Sequence, residues 1–103
     1  MTHTLERVVF KAAAGIDDAA MIAGAEQTND WLKEQPGFLY RTLVKDADGT
    51  WIDLVFWASP EAAQAADAKF GPDPKNAAYC ACIDMASTKM THLPQLTSAM
   101  GGA

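Results

Sequence analysis

A chain of 103 residues suffices for one domain with its own apolar core, and a composition of 50% hydrophobic against 20% charged residues excludes a disordered chain. The formal net charge of -5, with eight lysines and arginines scattered singly, leaves no basic stripe and excludes nucleic acid as a partner. No apolar run approaches the roughly 18–20 residues that span a bilayer. Met1 to Arg7 lacks the charged-then-apolar layout of a signal peptide, so a cytoplasmic protein with no membrane partner is the simple reading.

The first strand is expected from about Leu5 to Ala12, where Leu5, Arg7, Val9 and Lys11 alternate with Glu6, Val8, Phe10 and Ala12. Ala14-Gly15 ends it, and Asp17-Asp18 suits a helix amino terminus, where carboxylates complement the dipole. From Asp17 to about Gln35 the apolar period becomes helical, with Met21, Gly24, Ala25, Thr28, Trp31 and Leu32 on one face. Gly24 on that face implies close approach to a sheet. Pro36-Gly37 stops the helix.

Two β-rich runs follow, Phe38 to Asp46 and Thr50 to Trp57, and the Asp46-Ala47-Asp48-Gly49 segment between them reads as a hairpin turn. Strict alternation puts Phe38, Tyr40, Thr42 and Val44 on one side of the second strand, with Leu39, Arg41, Leu43 and Lys45 on the other. On the third strand Trp51, Asp53, Val55 and Trp57 oppose Ile52, Leu54 and Phe56. Both faces of this hairpin carry large apolar groups. One face is therefore expected under the chain's own helices and the other against a partner chain.

Ser59-Pro60-Glu61 opens the next helix, with serine as N-cap and proline at the first helical position. This alanine-rich helix runs to about Phe70. Asp73-Pro74 restarts a short helix through about Cys82, with Ala78, Cys82 and either Tyr79 or Ala81 facing inward. The last strand is expected within Met85 to Leu93, ending before Pro94, and Met85 and Met90 are expected to fill core gaps. Residues 1–96 thus read as one α+β domain, a ferredoxin-like βαββαβ sandwich with a four-stranded antiparallel sheet, and residues 97–103 as a flexible tail. Cys80 and Cys82 diverge on a helix and read as free thiols, buried or half-buried. Neither His3 nor His92 completes a zinc pattern with them, so no metal or other cofactor is expected.

Gln35-Pro36-Gly37-Phe38, Arg41, Asp46 to Trp51, and Val55-Phe56-Trp57-Ala58-Ser59-Pro60-Glu61-Ala62 together resemble the dimeric α/β-barrel superfamily, which includes antibiotic-biosynthesis-monooxygenase-like proteins. The local motif spans about a third of the chain and the element order nearly all of it. The resemblance implies a homodimer whose two sheets pack into a barrel, with a ligand pocket between each subunit's sheet and helices. Members include cofactor-independent oxygenases of aromatic substrates, haem-degrading enzymes, isomerases and proteins without a known reaction, so the fold does not choose among them.

Three polar groups on the aromatic-rich strands are candidates for catalysis. His92 is an imidazole that can work as a base near neutral pH, Asp53 is a carboxylate among apolar neighbours, and Tyr40 brings a phenol. Trp57, Phe56, Arg41 and Met90 are candidates for holding a substrate. Asp53 paired with Arg41 or Arg7 is the alternative use of that carboxylate. The leading expectation is a homodimer that binds a small apolar or aromatic molecule, and, if catalytic, performs cofactor-independent oxygenation or isomerisation. The alternative is a non-catalytic dimeric module in which Trp57 and Tyr40 serve packing only and no cavity exceeds a few waters.

Overall fold

The computed structural model describes residues 3–102; Met1 and Thr2 of the amino-terminal segment and Ala103 of the tail lie outside the described residues. The elements run β1 (Thr4–Ala12), α1 (Asp18–Lys33), β2 (Phe38–Lys45), β3 (Trp51–Trp57), α2 (Pro60–Phe70), a 3-10 turn (Pro74–Asn76), α3 (Ala77–Ala81) and β4 (Ile83–Pro94). Every strand pairing is antiparallel, and the sheet order is β2-β3-β1-β4. This is the ferredoxin-like α+β arrangement that the sequence pattern implies.

The helix starts follow from their caps. Asp17 Oδ1 accepts from the Ala20 amide at 2.9 Å, and Ser59 Oγ accepts from the Ala62 amide at 3.1 Å. In the hairpin, Asp46 Oδ1 accepts from the Asp48 and Thr50 amides, closing the turn that sets the register of β2 on β3. All six expected residues of the α1 apolar face are buried. So are Trp51, Asp53, Val55 and Trp57 of β3, which places the helices over that face of the sheet.

Two apolar groupings fill the space between helices and sheet. Phe10, Met21, Ala25, Trp51, Tyr79 and Cys82 form one, and Trp31, Leu32, Val55, Trp57, Ala63 and Ala66 form the other. Asp53 stands between them along β3. Phe70 packs against both, meeting Trp31 and Tyr79 edge to face at ring separations of 5.7 and 6.4 Å.

Several expectations need correction. Gly24 does permit a close approach, but to α3 rather than to the sheet: a Cβ there would lie 2.9 Å from Tyr79 Cα. The alternation along β2 is interrupted by a bulge between Phe38 and Tyr40. Phe38 sits opposite Trp57 and packs into the helix-side core, whereas Tyr40 sits opposite Phe56, on the outer face, so the two do not share a side. Beyond the bulge, Arg41, Leu43 and Lys45 face the helices, opposite Val55, Asp53 and Trp51. Gly37 just before the bulge has φ +81 and lies so close to α2 that a Cβ would fall 2.6 Å from that of Ala62.

β4 begins at Ile83 and extends through Pro94, which is tolerated because β4 is an edge strand. Met85 and Met90 are 59% and 50% exposed, so they do not fill core gaps. In the short helical segment Tyr79 and Cys82 face inward as expected, but Ala78 is exposed and Asn76 is buried instead, its side-chain amide donating to the Phe70 carbonyl at 3.0 Å. Cys80 is half-buried and Cys82 buried, both as free thiols. Among the described residues no helix is long and apolar enough to cross a membrane.

Candidate functional site

The helix-facing side of the sheet carries two polar clusters that an ordinary core would not contain. The first is built on β2 and β3. The Arg41 guanidinium grips Asp53 with both ends, Nε to Oδ1 at 2.8 Å and Nη2 to Oδ2 at 2.7 Å. Its remaining nitrogen, Nη1, donates to the Ala25 carbonyl at 3.1 Å and to Asn29 Oδ1 at 2.8 Å, both on α1. From α3 the Tyr79 hydroxyl donates to Asp53 Oδ2 at 2.7 Å, and the guanidinium lies 5.0 Å from the Tyr79 ring centre. Both ionic side chains are almost wholly buried, at 4% and 9% exposure. Burial pushes the Tyr79 hydroxyl up, the Asp53 charge adds to it, and the group stays a proton donor. Burial alone would lower the Arg41 pKa, but the Asp53 carboxylate outweighs it.

The second cluster joins β1, β4 and α2. Glu6 and His92 are direct cross-strand partners, so their side chains leave the sheet on the same side. His92 Nε2 lies 3.3 Å from Glu6 Oε1 and 3.2 Å from Asp67 Oδ2 of α2. Burial pushes the Glu6 carboxyl up to about 8, with the charge and hydrogen bonding of Asp67 and the charge of Asp53 adding to the rise. The Trp57 indole N–H pulls the other way, although it makes no hydrogen bond of ordinary geometry. Two carboxyl groups and an imidazole therefore meet, with the Glu6 carboxyl favouring its protonated form, an arrangement that can take up or release a proton.

Both clusters border one small cavity of about 60 Å³ between sheet and helices. Glu6, Asp53, Arg41 and Asp67 contribute polar atoms, and Trp31, Trp57 and Phe70 contribute aromatic walls. Thr28 Oγ1 and Trp57 Nε1, on residues each 2% exposed that also line it, have no hydrogen-bond partner. At roughly 30 Å³ per water, this volume suits about two waters rather than a substrate.

Of the residues singled out from sequence, Asp53, Arg41 and Trp57 line this cavity. His92 does not line it but contacts Glu6 and Asp67, which do. Tyr40, 59% exposed, and Phe56 lie on the outer face of the sheet with their rings 6.0 Å apart, and Met90 is at the sheet edge, half exposed. An open groove of about 210 Å³ runs beside Tyr40, Phe38 and Arg41. Glu6, Asp67, Thr28 and Tyr79 complete the site without having been candidates for chemistry. Glu6 carried a signal, since it shares its strand face with Val8 and Phe10. Asp67 carried one too, one helical turn from Ala63 on the buried stripe of α2.

No protein-family model matches the sequence, and no curated protein matches it significantly. Solved structures do match. A mutant form of SnoaB, a cofactor-independent oxygenase from Streptomyces nogalater, superposes with a TM-score of 0.74 at 18% identity, over 93% of this chain and 95% of that one. A monooxygenase from the gene ActVA-Orf6 of Streptomyces coelicolor, in complex with nanaomycin D, gives 0.65 at 21% identity, over 98% and 94%. A protein of unknown function from Nitrosomonas europaea gives 0.72 at 16% identity, over 100% and 98%.

Proposed function

The chain has the ferredoxin-like fold of antibiotic-biosynthesis-monooxygenase-like proteins, and from that premise we propose that it binds a small, largely aromatic molecule between sheet and helices and oxygenates it without a cofactor. The observation that carries this reading is the convergence of acid–base groups and aromatic walls on one cavity: Glu6 and Asp67 on one side, with His92 behind them, Arg41 and Asp53 on another, Trp31, Trp57 and Phe70 between them. The substrate supplies its own electrons. The cluster takes a proton from an activated ring methylene or phenol, and the electron-rich carbon reduces dioxygen. A C–O bond forms, the O–O bond breaks, the methylene becomes a carbonyl, and the second oxygen leaves as water. Asp53, held by Arg41 and Tyr79, positions rather than reacts, and His92 passes the proton outward through the half-exposed edge of the cluster.

Admitting an aromatic ring requires the α2 wall to move out. That helix contributes Ala66, Asp67 and Phe70 to the cavity wall, and its buried stripe is Ala63 and Ala66, which bury little area, so lifting it costs less than displacing a wall of leucines. The homodimer belongs to the same proposal. The face of the sheet away from the helices presents Tyr40, Val44, Ile52, Leu54, Phe56 and Leu93, of which Tyr40, Val44 and Leu93 are 59%, 44% and 44% exposed, and a second copy would cover it.

A second reading has its own support: a cavity of about 60 Å³ is what a non-catalytic dimeric module would hold. Oxygen uptake with naphthohydroquinones and hydroxylated tetralones, run under ¹⁸O₂, separates the two. The oxygenase predicts protein-dependent uptake of one O₂ per substrate and one labelled oxygen in the product. A panel that neither consumes oxygen nor quenches tryptophan fluorescence removes the oxygenase and leaves the module.

A further inference from the structure

We propose that Glu6, Asp67 and His92 form a binding site for one divalent transition-metal cation of borderline character, Zn²⁺ being the probe. The three donor atoms, one nitrogen and two oxygens, lie within 4.8 Å of one another. A tetrahedral ion with ligands at about 2.0–2.2 Å holds neighbouring donors about 3.3–3.6 Å apart. His92 Nε2 already stands 3.3 Å from Glu6 Oε1 and 3.2 Å from Asp67 Oδ2, so an ion needs little rearrangement to be held.

The charge arithmetic favours a cation. Among the described residues neither carboxylate has a lysine or arginine within ion-pair distance, and the nearby Arg41 is committed to Asp53. Imidazole with carboxylate is a donor set that suits zinc, manganese or iron rather than calcium or magnesium.

A separate observation marks the fourth position. Glu6 and Asp67 open onto the cavity, where the unpartnered Trp57 Nε1 and Thr28 Oγ1 are buried at its wall. A water or small ligand on the ion would fill that volume and could give these atoms a partner. Three protein ligands with one position turned to a cavity is the layout of reactive zinc sites rather than structural ones. The donors come from residues 6, 67 and 92, on three elements, which explains why no local spacing motif announces them. An ion here would occupy the same side chains that the proposed acid–base chemistry uses, so the two compete for one place.

Isothermal titration of chelator-treated protein with ZnCl₂ near pH 7 tests this without knowledge of any substrate. One equivalent should bind with micromolar affinity or better. His92→Ala and Glu6→Gln should each weaken it at least about a hundredfold, the upper end of what even an outer-shell change costs. Cys80→Ser should leave binding unchanged. Should Glu6→Gln fail to fold, Asp67→Asn on the more exposed side of the cluster gives the same reading. Absence of binding, or equal binding in His92→Ala, overturns the site. Oxygen uptake can fail while this titration succeeds, and conversely, so the two proposals fall separately.

Discussion

Asp53 and Glu6 lie on neighbouring strands of the same sheet, face the same helices and are similarly buried, at 6% and 7% exposure, yet their surroundings are opposite. Asp53 is saturated: a two-pronged guanidinium and a phenol account for both its oxygens, and the guanidinium is in turn held by α1. Glu6 faces a second carboxyl and an imidazole, and its neighbourhood includes orphaned polar atoms and free volume. Removing a buried charge's partner is costly, whereas a group already short of partners loses little. The first cluster therefore anchors helices to the sheet, and the second is the proposed place of exchange for a proton, an ion or a ligand.

The sharpest break in this contrast is Arg41→Met. It strands the Asp53 carboxylate in the core and should lower unfolding free energy by about 3–5 kcal/mol. Urea denaturation measures it, and adding Asp53→Leu to the same chain should recover much of the loss. If the single variant is as stable as the parent, Asp53 is not the anchor described. Tyr79→Phe removes one hydrogen bond to a charged group and should cost about 1.5–3 kcal/mol by the same assay.

A further effect is a slope rather than a single loss. Glu6 keeps its proton to about pH 8 in the fold, while an unfolded carboxyl loses it near 4.5. Its folded pKa is raised, so its contribution is complete below about 4.5 and is lost as pH climbs through 8. Burial first, then Asp67 and the charge of Asp53, set that window, and His92 faces the group from β4. In chelator-treated protein the urea midpoint should decline from pH 5 to 8.5, and Glu6→Gln should flatten the decline. A slope that survives Glu6→Gln assigns it to another group.

The framework was legible from residues because helix caps, the hairpin turn and the 3.6-residue stripe of α1 are local signals. The need of Asp53 for a cation was legible too, since a strand carboxylate among tryptophans calls for one, but the choice between Arg41 and Arg7 waited on the β2–β3 register. What sequence could not supply was the direction of Tyr40, because a bulge changes parity without a distinctive composition. Nor could it bring Glu6, Asp67 and His92 together, since that meeting depends on the β1–β4 register and on where α2 rests. Met85 and Met90 misled for a related reason: β4 is an edge strand, and hydrophobicity alone does not tell an edge from a centre.

The bulge at Leu39 has one more effect. The two ends of β2 are fixed by separate devices, Phe38 by the tight Gly37 approach to Ala62 and Arg41 by the hairpin turn around Asp46. The extra residue between them works as a slip joint. A change in length or bulk upstream, where the helix hands over to the strand, can be absorbed there without rotating the guanidinium away from Asp53. The scaffold can thus drift at that end while the aim of its buried charge stays set.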